Sequence, residues 1–294
     1  MSTTPYRFAE GTAVVTGAAG GIGENVAYGL AVRGSNLVLI DRDGDRLDTV
    51  AATVRGRHPG VSVSTLVVDL ADRDALDAAA TTILAEHPRI TLLVNNAGVA
   101  LGGDFSRLTL EEFDWVMAVN FHAPVRLTHH LLPALTAQPG GHLVNVSSLF
   151  GLIAPPGQSA YCASKFGIRG FSEVLRTELA ETGTGVTTVH PGGIKTRIAT
   201  DARVGVNIPA DEAEQGKRDF AKLLTFPADK AAELIIDGIE HRRARVLIGM
   251  SAKIPDVLAR LFPANSVKVF SRLVGAAGKA QKAAKNKLPV GADR

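Results

Sequence analysis

The chain has a single cysteine, Cys162, in 294 residues, so no internal disulfide can form and a reducing, cytoplasmic setting is expected. It has no run of eighteen apolar residues, and Met1 to Gly11 has no cationic start leading into an apolar core. Neither a membrane span nor a signal peptide is expected. Ligand spacing for a metal is also lacking: His129 and His130 share one helical stretch without a second ligand pair, and no metal is expected. Excess charge is missing from most of the chain. The net charge is +3, but from Ser251 onward nine Lys/Arg face two Asp, which makes +7 there and leaves −4 for residues 1–250. A body of that sign does not attract nucleic acid.

What is present is an apolar chain, 46% hydrophobic, long enough to bury the core of one large α/β unit. Short runs rich in β-branched residues, at 12–16, 36–40, 63–68, 91–94, 141–146, 185–190 and 245–249, alternate with stretches of helical spacing. Those helices are read at 45–57, at 72–86 with Asp72 as cap, at 110–120 and 124–137, at 160–179 and at 228–241. Repeated strand then helix with short links predicts a parallel sheet of about seven strands with helices on both faces.

The first strand runs into Gly17, Gly21 and Gly23 and then a helix. Strand, glycine turn and helix in that order suit a pyrophosphate, because glycines let backbone N–H groups approach it and the helix start adds partial positive charge. The second strand ends in Asp41, whose carboxylate can accept hydrogen bonds from ribose hydroxyls and would repel the extra phosphate of NADP. Arg42, next to it, has the opposite tendency, since a guanidinium pairs with that phosphate. The balance favours NAD over NADP.

Tyr161 and Lys165 lie four apart in a helical segment, so phenol and ammonium project from one face. A free tyrosine, with a pKa of about 10, is a poor base near neutrality, and an adjacent cation is expected to lower that value. Ser148, delivered by the strand at 141–146, can bind the oxygen of a carbonyl or alcohol while Tyr161 handles the proton.

Taken together, Thr16-Gly17-x-x-x-Gly21-x-Gly23, Asp69, Asn95-Asn96-Ala97-Gly98, Asn120, Ser148, Tyr161-x-x-x-Lys165 and Pro191-Gly192 resemble, in order and spacing, the short-chain dehydrogenase/reductase family over residues 10–248. The resemblance implies a doubly wound Rossmann fold and an oxidoreductase acting on a secondary alcohol or ketone. It also implies that Tyr161 is acid/base, that Lys165 lowers its pKa and holds the nicotinamide ribose, that Ser148 holds the substrate oxygen and that Asn120 holds a relay water. Gly17, Ile22, Asp41, Asp69, Asn96, Ile194 and Thr196 fall where the family contacts its dinucleotide, while Asn95 and Gly98 shape the loop. A homodimer or homotetramer, pairing helices near 124–137 and 160–180, is implied as well.

Residues 1–250 are expected to form the catalytic unit and 251–294 a basic, partly helical extension. Within the first, the alternation lapses over 197–226, which reads as an irregular loop closing over substrate. Val99, Ala100, Leu101, Leu149, Phe150, Ile153 and Gly193 are expected to flank the substrate and favour a hydrophobic one. In the extension, Ile254, Val257, Leu258, Leu261 and Phe262 have helical spacing, as do Val267, Val269, Phe270, Leu273 and Val274. A cap on the body or on a partner subunit is favoured for 251–274 over an amphipathic anchor on anionic membrane, and 276–294 reads as a frayed helix or disorder. The alternatives to a free-standing enzyme are a catalytically idle dinucleotide sensor or scaffold on the same fold, and a membrane-docked dehydrogenase acting on lipid.

Overall fold

Seven strands form one parallel sheet whose central strands are buried on both faces. In the computed structural model, which describes residues 4–137 and 140–269, these are β1 (Thr12–Thr16), β2 (Asn36–Asp41), β3 (Val63–Val67), β4 (Ile90–Asn95), β6 (His142–Val146), β7 (Gly185–Pro191) and β9 (Arg245–Ile248). Their order across the sheet is β3-β2-β1-β4-β6-β7-β9, with every pairing parallel. Neighbouring residues of one strand feed opposite layers. Val15, Leu37, Leu39 and Val94 pack with Val26, Leu30, Leu47 and Ile235; Val14, Val38, Ile40 and Leu93 pack with Leu76, Ile83, Leu127 and Leu131. That two-sided burial is why the strands read as continuous apolar runs rather than alternating ones.

The helices are α1 (Gly21–Val32), α2 (Gly44–Arg57), α3 (Arg73–Glu86), α4 (Leu110–Met117), α5 (Ala123–Thr136), α6 (Ser159–Glu178), α7 (Ala210–Leu223), α8 (Ala228–Glu240) and α9 (Met250–Leu261). Local chemistry sets several of their starts. Asp72 Oδ1 accepts from the N–H groups of Asp74 and Ala75, 3.0 Å each, and Thr109 and Glu112 form a reciprocal capping box on α4.

Three expectations are corrected. The helices read at 110–120 and 124–137 are one continuous rod: α4 passes into a π-helical turn, Ala118–His122, that leads directly into α5. Asn120 therefore lies inside that turn instead of ending a helix. The segment 197–226 is not irregular. It contains the short strand β8 (Arg203–Val204), which pairs with β5 (Leu101–Gly102), and the whole of α7. Finally, α9 does not cap the body with its apolar row. It buries Ala252, Pro255 and Asp256, held by Arg245 at 2.7 Å, and leaves Met250, Ile254, Val257 and Leu261 exposed. The expectations for 270–294 lie outside the described residues. Among the described residues no helix is long and apolar enough to cross a membrane.

The strand order reverses between β1 and β4: the chain winds one way through β2 and β3 and the other through β6, β7 and β9. Ligands of open parallel sheets bind outside the carboxyl ends of the strands flanking such a point. The glycine turn follows β1 and Asn95–Gly98 follows β4, so both candidate loops meet there.

Candidate active site

The glycine turn is held open by its neighbours. Gly17 and Gly21 have φ of +67° and +59°, a region costly for side chains. A Cβ on Gly17 would lie 2.8 Å from Ala97 Cα, and one on Gly23 only 2.1 Å from the Gly17 carbonyl oxygen. The loop after β4 is latched to this turn. Asn96 Nδ2 donates to the Thr16 carbonyl at 2.9 Å, and Thr16 Oγ1 accepts from the N–H groups of Asn96 and Ala97 at 3.1 Å each. Asn96, expected beside a dinucleotide, thus also fixes the shape of the turn.

Asp41 ends β2 beside this cradle. Its Oδ2 accepts from Ala19 N–H at 3.0 Å and its Oδ1 from Asp43 N–H at 3.1 Å, so the carboxylate is fixed in place by backbone donors. Arg42 and Asp69 are exposed, and Asp69 Oδ1 accepts from Ala71 N–H. Ile194 is buried, and Thr196 Cγ2 lies 2.9 Å from where a Cβ of Gly21 would stand. A backbone cradle at a helix start, free of side chains and next to an acidic strand end, fits a dinucleotide.

Ser148, Tyr161 and Lys165 converge at the carboxyl end of β6. The Ser148 hydroxyl accepts from Phe150 N–H at 3.1 Å and lies close enough to the Tyr161 phenol to lower its pKa. Lys165 is buried; its ammonium donates to the Val146 carbonyl at 3.1 Å and stands 5.6 Å from the centre of the Tyr161 ring. Burial pushes Lys165 down to about 8. It also pushes Tyr161 up to about 12, outweighing the nearby Ser148 hydroxyl, which lowers it. Desolvation is the dominant influence on the phenol, with the Lys165 ammonium, expected to lower it, 5.6 Å from its ring centre.

Asn120 fastens the loop after β4 with its side chain. Its Oδ1 accepts from Val99 N–H at 2.8 Å, while its Nδ2 donates to the Val99 carbonyl at 2.9 Å and to Ser164 Oγ at 3.2 Å. The carboxamide thus grips the backbone of the loop after β4 and ties it to α6.

Several residues around the site make supporting contacts that the sequence did not assign. Ser147 donates to the Lys165 carbonyl at 2.7 Å and ties α6 to β6. Under the site, Asn95 Nδ2 donates to Asn145 Oδ1 and Thr128 Oγ1, and Asn145 donates to Ser172, a buried polar ladder joining β4, β6, α5 and α6. His190, fully buried in β7, reaches the Ser148 carbonyl. The available signal was a polar residue at an interior strand position, which needs a partner when buried.

Of the residues expected around the substrate, Val99, Leu149, Phe150 and Gly193 are partly exposed, and Phe150 meets the Tyr161 ring edge-on at 6.0 Å. Ala100, Leu101 and Ile153 are buried, Leu101 against Val116 and Ala160. The segment carrying α7 is fastened over this side. Arg203 stacks on Trp115 at 3.8 Å, and Arg107 pairs with Glu212 through two contacts of 2.7 and 3.1 Å. Among the described residues no cluster of His, Cys, Asp or Glu is arranged to hold a metal.

Residues 11–206 match the short chain dehydrogenase family. SadH of Mycobacterium tuberculosis, named as an oxidoreductase, is 40% identical over 269 residues, covering 90% of this chain and 94% of SadH. The dehydrogenase/reductase SDR family member 7B of Mus musculus is 32% identical over 237 residues, 80% of this chain and 72% of that protein. A short chain dehydrogenase/reductase from Burkholderia phymatum in complex with NAD superposes with a TM-score of 0.79 at 27% identity, covering 87% of this chain and 94% of that one. A short-chain dehydrogenase from Sphingobium yanoikuyae in complex with NADPH gives 0.71 at 28% identity, covering 97% and 98%.

Proposed function

Because the chain belongs to the short chain dehydrogenase family, we propose that it interconverts a hydrophobic secondary alcohol and its ketone, using a nicotinamide dinucleotide, NAD in preference to NADP. The observation that carries this reading is the meeting of the Ser148 hydroxyl with the Tyr161 phenol, one helical turn from the buried Lys165. The dinucleotide supplies the hydride chemistry when bound. Gly17, Gly21, Ile22 and Gly23 cradle its phosphates, Asp41 accepts from its ribose, and Asp69, Asn96, Ile194 and Thr196 line its path.

Ser148 orients the substrate oxygen. Tyr161 gives that oxygen a proton in the reducing direction and removes one in the oxidising direction. Lys165, cationic below about pH 8, stabilises the phenolate left when the proton departs and binds the ribose on the nicotinamide side. Asn120 acts through Val99, fixing the loop that flanks the substrate. The partly exposed Val99, Leu149 and Phe150 support an apolar substrate.

Tyr161→Phe tests the mechanism. Turnover is expected to fall by roughly a hundredfold or more while dinucleotide affinity, measured by calorimetry, stays at the wild-type value. Wild-type-like turnover by that variant would end this reading.

A second reading concerns location. The exposed apolar row of α9, flanked by Lys253 and Arg260, supports a membrane-docked enzyme acting on lipid. Flotation with anionic vesicles tests it: co-migration lost in Ile254→Asp/Leu261→Asp supports docking, and wild-type protein that stays below the vesicles excludes it.

A further inference from the structure

Arg197 covers the glycine turn. A Cβ on Gly20 would lie 3.3 Å from Arg197 Nη2, 3.8 Å from Nε and 3.9 Å from Cζ, so the guanidinium occupies the space that a side chain at residue 20 would take. Gly20 itself is extended, with φ and ψ both 173°, a backbone any residue adopts. Its missing side chain therefore matters for the room it leaves to Arg197.

That location is electrostatically unfavourable for a cation. The turn opens α1, whose N-terminal end carries partial positive charge and favours an anion. Arg197 gains little in return: its ion pair with Asp201 is a single 3.9 Å approach from Nε, half-exposed on both sides, and no hydrogen bond holds the guanidinium among the described residues. Two positive features facing one another across a side-chain-free cradle are complementary to an anion held between them. Accepting the dinucleotide reading above, on which this inference rests, the anion available there is a phosphate.

We propose that Arg197 is a phosphate-binding residue of the dinucleotide site, drawn from its loose pair with Asp201 onto a phosphate lying over Gly20 and Gly21. The pyrophosphate of either dinucleotide and the 2′-phosphate of NADPH offer the same chemistry to the guanidinium.

Calorimetric titration of the wild type, Arg197→Ala and Arg197→Gln with NADH, NADPH and ADP-ribose tests this. Each variant is expected to bind roughly tenfold more weakly, and with a smaller dependence on salt. Equal losses for all three ligands assign the contact to the pyrophosphate; a loss confined to NADPH assigns it to the 2′-phosphate. Asp201→Asn, which removes the competing carboxylate, is expected to tighten binding. Unchanged affinity for all three ligands in a variant with the wild-type melting temperature overturns the proposal while leaving the dinucleotide reading intact. A wild type that binds none of the three brings down both.

Discussion

His190 Nδ1 lies 3.1 Å from the main-chain carbonyl oxygen of Ser148, joining the interior of β7 to the residue that presents its hydroxyl to Tyr161. The ring is fully buried, and its Nε2 has no partner among the described residues. With Nδ1 as the protonated nitrogen, the ring donates to that carbonyl and steadies the turn after β6.

His190→Leu removes this donor and leaves the carbonyl with only its bond from Gly151 N–H at 3.0 Å. It is expected to lower kcat roughly five- to tenfold, by an effect of the size of one lost hydrogen bond, with dinucleotide affinity unchanged. His190→Asn, which keeps an N–H donor, is expected to recover part of the loss. Equal kcat in the wild type and the leucine variant would show that the bond does not position Ser148.

Gly23→Ala sets a small gain against a larger clash. Alanine improves helix propensity by up to about 1 kcal/mol. Its Cβ, however, would sit 2.1 Å from the Gly17 carbonyl oxygen and 2.5 Å from Asn96 Nδ2, and overpacking of that kind costs about 1–3 kcal/mol. A lower midpoint in urea and loss of dinucleotide binding are expected; a wild-type midpoint would mean that the turn relaxes freely.

Acid should destabilise the fold through two histidines. Burial drives His142 down to about 3 and His190 down to about 4, from an ordinary 6.5. The unfolded chain then binds protons that the folded chain refuses, so stability is full above about pH 6.5 and falls as pH drops from there toward 4 and 3. Urea midpoints between pH 7 and 4 measure this, and His142→Gln should reduce the slope if it tolerates burial. Parallel pH dependence in the two proteins would rule out His142 as a contributor.

The pH dependence of turnover should report the phenol. With Tyr161 pushed up to about 12, ketone reduction finds its proton donor intact across the neutral range. Alcohol oxidation requires the phenolate, so its rate, when chemistry is limiting, is expected to climb with pH up to about 8, above which Lys165 loses the charge that stabilises that phenolate. A flat oxidation profile would argue against Tyr161 as the base.

The strands were legible because their apolar, β-branched runs are buried on both faces at the centre of the sheet, as residues 37–40 and 92–94 show without help from neighbours. The glycine turn was legible for a similar reason: Gly17, Gly21 and Gly23 sit where only a missing side chain fits. The helix in 197–226 was not. α7 has no fully buried residue, so its pattern gives a weak signal against the charges and Pro209 around it. The π turn at Ala118–His122 was equally hidden, since it forms where the carboxamide of Asn120 is gripped by Val99 and Ser164, partners 21 and 44 residues away.

The sequence by itself determined the order of strands and helices, the glycine turn and the four-residue spacing of Tyr161 and Lys165, because periodicity, backbone freedom and helix geometry act over a few residues. Only the tertiary structure decided what those groups experience. Burial, a property of the whole assembled core, raises Tyr161 and lowers Lys165, and the return of the chain from β7 brings Arg197 over Gly20 across 177 positions. Desolvation and contacts between distant segments are set by where the sheet and its helices close together, and no local stretch of residues encodes them.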